Sequence, residues 1–410
     1  MEKREIELRS QAVLTDVKNT MFGMDEVVRL ILTAFYNGGH VLLEGNPGLG
    51  KTELVKTLGR ALKLNYGRIQ FTPDLMPADI TGTWAPDYEN NNPQRLIFKK
   101  GPIFKSLLLA DEINRATPKT QSAMLEAMAE KQVTVFGKRE KLDLPFMVLA
   151  TQNPIDHEGT FNLPEAQSDR FMFKITVPVP NRETIRLIMR KDAGVLATAV
   201  SIGAAAKTPN PQNPQGYNWT PRSREESEKL FAFLQRTVSL FKPTPSVEIH
   251  ILNMFLASNR QYDLLQGLDR NQLHKVKQLV DELLIYGLSP RAATAMMLGA
   301  KAYSLMFIKD AEGAEGPALA RVAIPCLRHR IKLRFDWQEA FFKIEKGAGK
   351  DDAYRDESSY GNIFADVLMV RMIAAFCLST APAANQYATN FKGELQKAMS
   401  LILSTAGERH

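Results

Sequence analysis

The sequence predicts an α/β fold in the first half of the chain and a helical fold in the second half. Three observations predict this. A glycine-rich loop joins a short apolar segment to the start of a helix, several later apolar segments end in polar residues, and helical periodicity dominates after residue 222. The 410 residues are enough for two or three domains, each of which can bury its own core.

The composition is that of a soluble globular protein. No apolar run reaches membrane-spanning length and the first ten residues are charged, so we expect no membrane insertion and a cytoplasmic location. Cys326 and Cys377 are too few for a disulfide framework, and the six histidines form no ligand cluster. The net charge of +7 is modest, which favours an acidic partner or no charge-based role over a nucleic-acid surface.

Residues 40–57, "HVLLEGNPGLGKTELVKT", match the pattern G-x-x-x-x-G-K-[ST]. In such a loop the backbone N–H groups point at phosphate oxygens, Lys51 reaches the terminal phosphates and the Thr52 hydroxyl binds magnesium. The alternative is a chance glycine turn, but the strand before the loop and the helix after it favour a nucleotide site. The predicted nucleotide-binding residues are Gly45, Asn46, Pro47, Gly48, Leu49, Gly50, Lys51, Thr52 and Glu53.

A turn at Met21, Phe22 and Gly23 separates two predicted helices before this loop. Phe22 and Gly23 are further candidates for nucleotide contact, because Met21 and Phe22 could wall an adenine ring. Both side chains could equally belong to the core.

After the helix that follows the glycine loop, "YGRIQF" predicts a second strand, and residues 72–105 are rich in Pro, Gly and Asn. We interpret residues 72–105 as an elaborate insertion, within which "RLIFKKGPIF" predicts a short hairpin. A second decoration is the hairpin predicted around Gly137 in "VTVFGKREKLDL".

The segment "SLLLADEINR" brings Asp111 and Glu112 to the carboxyl end of a buried strand, where α/β sheets bind ligands. Asp111 can hold magnesium, and Glu112 can orient and deprotonate the water that attacks a γ-phosphate. The alternative is a solvated strand end. The glycine loop upstream favours the catalytic interpretation.

Two further strands are predicted in "FMVLATQNP" and "FMFKITV". Asn153 follows the first, where it can hydrogen-bond the attacking water or the γ-phosphate, or serve as an ordinary turn residue before Pro154. Arg170 precedes the second, where it can pair with Glu165 or Asp169 or point toward the nucleotide of a neighbouring subunit.

The second half of the chain begins with helices predicted at about residues 222–241, 246–260, 272–286 and 290–306. In "GLSPRAATAMM" Ser289 caps the last of these, and Arg291 stands where the helix dipole disfavours a cation. We therefore expect a compensating anion beside Arg291, either a bound phosphate or a local carboxylate. An apolar helix at 362–380 is interrupted by charges, so we predict that it is buried or faces a partner.

Together, "GNPGLGKT", "LLLADEIN", "ATQNP", "LPEAQSDRF" and "GLSPRAA" closely resemble the motifs of the MoxR family of AAA+ ATPases, in the helix-2-insert clade. The resemblance implies an αβα core with a five-stranded parallel sheet, a helical lid, and bound ATP and Mg²⁺. It assigns roles to these residues: Lys51 and Thr52 (Walker A), Asp111 and Glu112 (Walker B), Asn153 (sensor 1), Arg170 (arginine finger) and Arg291 (sensor 2).

The predicted organisation has four parts. They are a core at 1–193 with an insert at about 72–105 and a hairpin at about 131–145, a linker at 194–221, a helical lid at 222–345, and a C-terminal helical extension at 346–410. The Pro/Asn-rich stretch near residues 207–221 and the tail after residue 346 depart from the compact form of the family.

The resemblance also implies a ring, a hexamer in the family, that remodels a protein client together with a von Willebrand factor A domain protein, in complex maturation or metal-cofactor insertion. One rival hypothesis is a nucleic-acid motor, because helicases carry similar insertions. The predicted hairpin has three basic and two acidic residues and no aromatic run for base stacking, which disfavours nucleic acid. Another rival is a nucleotide-gated scaffold with little turnover.

Overall fold

The structure is a computed structural model that describes residues 3–45, 48–87, 92–153, 160–192, 223–346, 361–383 and 385–403. The predicted linker at 194–221 lies outside the described residues, as do Asn46 and Pro47 of the predicted nucleotide site. The four-part division of the chain therefore stays a prediction.

The described α-helices are α1 (Lys3–Lys18), α2 (Asp25–Tyr36), α3 (Lys51–Ala61), α4 (Pro77–Thr81), α5 (Pro118–Glu130), α6 (Glu165–Ser168), α7 (Arg182–Asp192), α8 (Arg224–Leu240), α9 (Pro245–Ser258), α10 (Arg270–Leu283), α11 (Pro290–Phe307), α12 (Gly316–Leu327), α13 (Trp337–Lys346), α14 (Gly361–Ser379) and α15 (Asn385–Leu403). The described strands are β1 (Val41–Glu44), β2 (Tyr66–Gln70), β3 (Gly82–Asp87), β4 (Asn92–Lys100), β5 (Leu107–Asp111), β6 (Gln132–Val135), β7 (Lys138–Lys141), β8 (Met147–Gln152), β9 (Phe173–Thr176), β10 (Leu284–Tyr286) and β11 (Lys332–Leu333).

Five strands form one parallel sheet in the order β2-β5-β8-β1-β9, which confirms the predicted α/β core. The register pairs Gln70 with Asp111, and it pairs Glu44 with both Gln152 and Thr176. Because all five strands run the same way, these residues mark one edge of the sheet. Ligands of open α/β sheets bind outside this carboxyl edge.

The two faces of the sheet belong to two hydrophobic clusters. Along β5, Leu107 and Leu109 join one cluster, and Leu108 and Ala110 join the other, as the two-residue period of a strand requires. The first cluster contains α1, α2 and α3 together with the helices of the second half of the chain. The helices of the second half thus complete the core on one face of the sheet, and α5 covers the other.

The predicted hairpin within "RLIFKKGPIF" is wrong in its pairing. Strand β4 pairs with β3 upstream, not with residues after Gly101. The reason is a close backbone approach at Gly82 and Gly101, where a Cβ atom on either residue would collide with the backbone of the other segment. Gly101 therefore closes the base of a longer hairpin. The second hairpin, β6 with β7 around Gly137, is confirmed.

The helical half differs from the prediction at one helix end. Helix α10 ends at Leu283, and residues 284–286 pair as β10 with β11. Ile285 and Tyr286 have side chains that favour a strand, which agrees with the pairing of β10 with β11. Ser289 caps α11 as predicted, because its Oγ accepts a hydrogen bond from the Ala292 N–H at 3.3 Å.

Helices α14 and α15 pack against α10 and α12, so the apolar helix near the end of the chain is buried as predicted. Val370, Met372, Ile373, Phe376 and Cys377 have no exposed surface. Within the described ranges, no helix combines the length and the apolar character needed to cross a membrane.

We expect Phe376→Ala to lower the free energy of unfolding by about 3–5 kcal/mol, because it leaves a cavity in a close-packed region. The fully exposed Phe335 is the matched control, and Phe335→Ala should change stability by less than about 0.5 kcal/mol. Urea unfolding of both variants measures the difference. Equal midpoints for the two variants would contradict the packing of α14.

Candidate active site

The glycine loop follows β1 at the carboxyl edge of the sheet. Gly48 and Gly50 have φ angles of 81° and 75°, a left-handed conformation that side chains disfavour. Gly45 is needed for space, because a Cβ atom there would lie 3.1 Å from the Cβ of Val177. Helix α3 begins at Lys51 after Gly50, which has no side chain that could cap it. The first-turn N–H groups are thus available to an anion.

Lys51 bends back over the loop and donates a hydrogen bond to the Gly45 carbonyl at 2.6 Å. Burial lowers the pKa of Lys51 below its usual value, against the opposing effect of the Asp111, Glu112 and Glu44 carboxylates. The ammonium group therefore lies within the electrostatic reach of the two predicted catalytic carboxylates, between the glycine loop and the end of β5.

We expect Lys51→Ala to weaken nucleotide binding at least about 10- to 100-fold, since a hydrogen bond to a charged group contributes about 1.5–3 kcal/mol. Titration with a fluorescent ATP analogue measures the loss. Lys56→Ala, on the same helix one turn further on, is the matched control and should keep the affinity of the parent. Equal affinities for both variants would contradict the assigned phosphate contact.

Asp111 and Glu112 end β5 in a network of polar partners. The Thr151 hydroxyl donates to Asp111 Oδ1 at 2.6 Å, and the hydroxyl oxygen of Thr151 accepts from the Glu112 N–H at 2.8 Å. Arg68 donates to Asp111 Oδ2 through two nitrogens at 2.7 and 3.1 Å. Thr151 and Arg68 thus fix the end of β5 and the carboxylate of Asp111.

Glu112 is held from two sides. Gln70 Nε2 donates to Glu112 Oε2 at 3.0 Å, and Arg115 Nη1 donates to the same oxygen at 2.9 Å. The Glu112 backbone has φ 56° and ψ 50°, a conformation that is uncommon for a residue with a side chain. Such strain is found at functional sites, where the surrounding structure fixes it.

Gln70, Thr151, Arg68 and Arg115 were not among the predicted site residues. Their roles depend on β2, β5 and β8 lying side by side, which the sequence around each residue does not reveal. One signal was present for Gln70, because it is a polar residue next to the end of the predicted strand "YGRIQF".

The donor set fits a hard cation. Thr52 is half-buried in the first turn of α3, and the side chain of Asp111 is 17% exposed at the strand end beyond the loop. Hydroxyl and carboxylate oxygens of this kind suit Mg²⁺ beside a nucleotide phosphate. Asn153 follows β8 directly and is half-buried. It comes one residue after Gln152, which pairs with Glu44 in the sheet.

The turn before α2 lies against the glycine loop. The Met21 side chain is 9% exposed, and a Cβ atom on Gly50 would lie 3.2 Å from its Cε. Met21 thus packs in the core and also touches the loop. Phe22 is half-buried and Gly23 has φ 73°. Neither observation tests an adenine contact at Phe22 and Gly23, which stays a prediction.

Arg170 and Arg291 line one surface pocket of 340 Å³ together with Asp169 and Arg330. None of the described loop residues lines this pocket, and neither do Asp111, Glu112 or Asn153. The structure therefore brings the two predicted arginines together with each other and not with the glycine loop of the same chain.

The local partners considered for Arg170 are wrong. Asp169 pairs with Arg330 at 2.6 Å and Glu165 pairs with Lys332, whereas Arg170 donates to the Leu125 carbonyl. Arg330 takes the Asp169 carboxylate because its buried guanidinium is also held by four backbone carbonyls nearby. The guanidinium of Arg170 has no carboxylate partner among the described residues.

A carboxylate lies at the start of α11, and a bound phosphate beside Arg291 stays a prediction. Ser289, the cap of α11, donates to Asp169 Oδ2 at 3.2 Å, so a negative charge stands at the start of this helix. Arg291 itself is exposed and has no ion pair in the described part of the chain. The sensor 2 role of Arg291 stays a prediction.

The comparisons with known proteins agree with this geometry. Residues 40–173 match the model of the ATPase family associated with various cellular activities (AAA). The chain is 36% identical to the uncharacterized protein YeaC of Bacillus subtilis over 296 residues, which are 72% of this chain and 78% of YeaC. It is 46% identical to Chaperone MoxR1 of Mycobacterium tuberculosis over 179 residues, 44% of this chain and 47% of that protein.

The crystal structure of a presumed ATPase from Cytophaga hutchinsonii superposes with a TM-score of 0.66 at 32% identity, covering 82% of this chain and 91% of that one. The chain belongs to the MoxR family of AAA+ ATPases. As a MoxR-type ATPase it carries the glycine loop, Asp111 and Glu112 inside the matched region, whereas Arg291 and the extension lie beyond residue 173. The match with MoxR1 spans about half of that relative.

Proposed function

We propose that this protein is a cytoplasmic Mg-ATPase that works as a ring and remodels a protein client. The proposal rests mainly on the sheet topology, because the glycine loop with Lys51 follows β1 and the carboxylates Asp111 and Glu112 follow β5 at the same carboxyl edge, beside an uncapped helix start. ATP is the substrate. Magnesium, when bound at Thr52 and Asp111, neutralises phosphate charge and orients the terminal phosphate.

Different residues of this chain bind the phosphates and activate the attacking water. The loop N–H groups and Lys51 hold the phosphates, and Thr151 fixes the carboxylate of Asp111. Glu112 accepts the proton of the attacking water, and Asn153 orients that water. The γ-phosphoryl group passes from ATP to this water and ADP leaves, and because this transfer needs little covalent help from the protein, positioning and charge stabilisation account for most of the rate.

A ring is supported by the location of Arg170 and Arg291 in a pocket that does not include the glycine loop of the same chain. Arg170 lines a pocket apart from the glycine loop of its own chain and has no carboxylate partner among the described residues. An arginine placed in this way is available to a nucleotide bound by a neighbour. By the family resemblance we propose a hexamer, with Arg170 and Arg291 acting at the subunit interfaces.

The client role rests on the family resemblance. We propose that the ring acts with a von Willebrand factor A domain protein in the maturation of a complex or the insertion of a metal cofactor. The relative named Chaperone MoxR1 supports a chaperone role. The two hairpins, β3 with β4 and β6 with β7, carry the exposed Leu96 and Phe136 as apolar contacts for a client.

One observation supports the alternative hypothesis of a nucleic-acid motor. Phe136 is 83% exposed at a hairpin tip next to the basic Lys138, Arg139 and Lys141. A single aromatic side chain offers little base stacking. The rival predicts hydrolysis that DNA or RNA stimulates and that falls steeply with salt.

The test is phosphate release by the purified protein with ATP, with and without Mg²⁺, and with single-stranded DNA added. We expect Mg²⁺-dependent turnover that DNA leaves unchanged. Stimulation by DNA would favour the nucleic-acid motor. No turnover despite tight nucleotide binding would favour the scaffold and contradict the proposed ATPase.

A further inference from the structure

Two carboxylates of the C-terminal helices reach the nucleotide-binding core through two arginines. Asp366 of α14 pairs with Arg328, which also pairs with Glu44 at 3.1 Å. On α15, Glu394 pairs with Arg321 at 2.8 Å, and Arg321 lies 4.0 Å from Glu26 of α2. One arginine lies within α12 and the other directly after it, and both line one cleft of 630 Å³.

Arg328 is the more deeply buried of the two arginines. Its side chain is 3% exposed, and its guanidinium donates to the Thr176 hydroxyl at the end of β9, to Glu44 and to Asp366. A planar guanidinium held by three acceptors on three different elements has a fixed orientation. One of those three elements is α14.

Glu44 is the last residue of β1 and directly precedes the glycine loop. Its second carboxylate oxygen pairs with Lys174 at 2.8 Å. Burial would raise the pKa of Glu44, but Lys174, Arg328 and Lys51 together outweigh it and keep the pKa below its usual value. The carboxylate is therefore ionised, and its position depends on Lys174 and Arg328.

Glu44, Lys174, Arg328 and Asp366 form a balanced group of two cations and two anions. Without Asp366, Arg328 and Lys174 would share the single carboxylate of Glu44, and the guanidinium would lose one of its three fixed acceptors. A buried charge that loses its partner is strongly unfavourable, so the group would rearrange. Because Glu44 directly precedes Gly45, a movement of Glu44 would displace the start of the glycine loop and with it the phosphate site.

We propose that Asp366 and Arg328 are positioning residues for the glycine loop, so that the C-terminal extension sets the affinity of this ATPase for nucleotide. This inference rests on the proposed function. It predicts an effect on binding and not on the chemical step, because neither residue contacts Glu112. If the contact of Asp366 with Arg328 strengthens nucleotide binding, then bound nucleotide must stabilise that contact by the same free energy.

The test compares Asp366→Asn with Asp336→Asn, the same chemical change at an exposed ion pair before α13. For Asp366→Asn we expect the dissociation constant of a non-hydrolysable ATP analogue to rise about 5- to 50-fold, within the usual range of coupling between sites. KM should rise similarly, and kcat should stay within about twofold. Asp366→Glu, which keeps the charge, should recover most of the affinity, and Asp336→Asn should match the parent.

A second measurement uses the parent protein and does not depend on how well any variant folds. Hydrogen exchange of the backbone over residues 365–379 should slow when the ATP analogue binds.

Two results overturn the inference. One is an Asp366→Asn protein that keeps the parent's melting temperature and binds nucleotide within twofold of the parent. The other is exchange over 365–379 that is unaffected by nucleotide in the parent. If the parent itself binds no nucleotide, the proposed ATPase function fails, which is a different and separately visible outcome.

Discussion

The Glu112→Gln variant should bind ATP as tightly as the parent and hydrolyse it about 10² to 10⁴ times more slowly, which is the cost of losing a positioned general base. The glutamine amide would keep the size of the side chain, and its oxygen could still accept the hydrogen bonds from Gln70 and Arg115. Only the ability to accept a proton from water is lost. Phosphate release at saturating ATP and binding of a fluorescent analogue separate the two effects.

Glu339→Gln is a suitable control, because Glu339 is an exposed residue of α13 that pairs with Lys343 on the next turn. It should leave turnover unchanged. Hydrolysis by Glu112→Gln within a few fold of the parent would show that another group activates the water. The assignment of Glu112 as the base would then be wrong.

The Arg170→Ala variant should also retain ATP affinity and lose turnover, by about 10³ to 10⁵ if Arg170 acts as an arginine finger. The expected loss is large because the guanidinium would neutralise charge that develops only in the transition state. Parent activity per subunit should fall on dilution as the ring dissociates. Arg186→Ala, at an exposed position on α7, is the control and should retain activity.

A loss of ATP affinity in Arg170→Ala equal to its loss of turnover would contradict this role. So would parent activity per subunit that stays constant over a dilution that light scattering shows to yield monomers. Either result would mean that Arg170 serves its own subunit, through its contact with the Leu125 carbonyl and α5.

The residues whose function follows from their own strand or loop could be predicted from the sequence. Asp111 and Glu112 end an apolar strand, and Gly48 and Gly50 precede a helix that starts with Lys51, so local pattern fixes their place. The five-stranded parallel sheet was implied by the resemblance of these motifs to the MoxR family. These features depend on neighbours within a few residues of each other.

Contacts between distant segments could not be predicted. Gln70 and Glu112 are 42 residues apart, and Glu44 and Arg328 are 284 apart, so the sequence around each gives no sign of the pairing. The same limit explains the hairpin error, since the partner of β4 is set by the close approach of Gly82 and Gly101. It also explains Arg170, whose nearest carboxylate in sequence is taken by Arg330.

Mixing two inactive variants tests whether each active site is shared between two subunits. Arg170→Ala and Glu112→Gln proteins, each nearly inactive alone, are combined under conditions in which light scattering and affinity tags show that they co-assemble. Some interfaces in mixed rings then hold an intact Glu112 on one side and an intact Arg170 on the other, so ATP turnover should partly return. Mixed rings that form and still release no phosphate above the sum of the two variants would contradict a shared site.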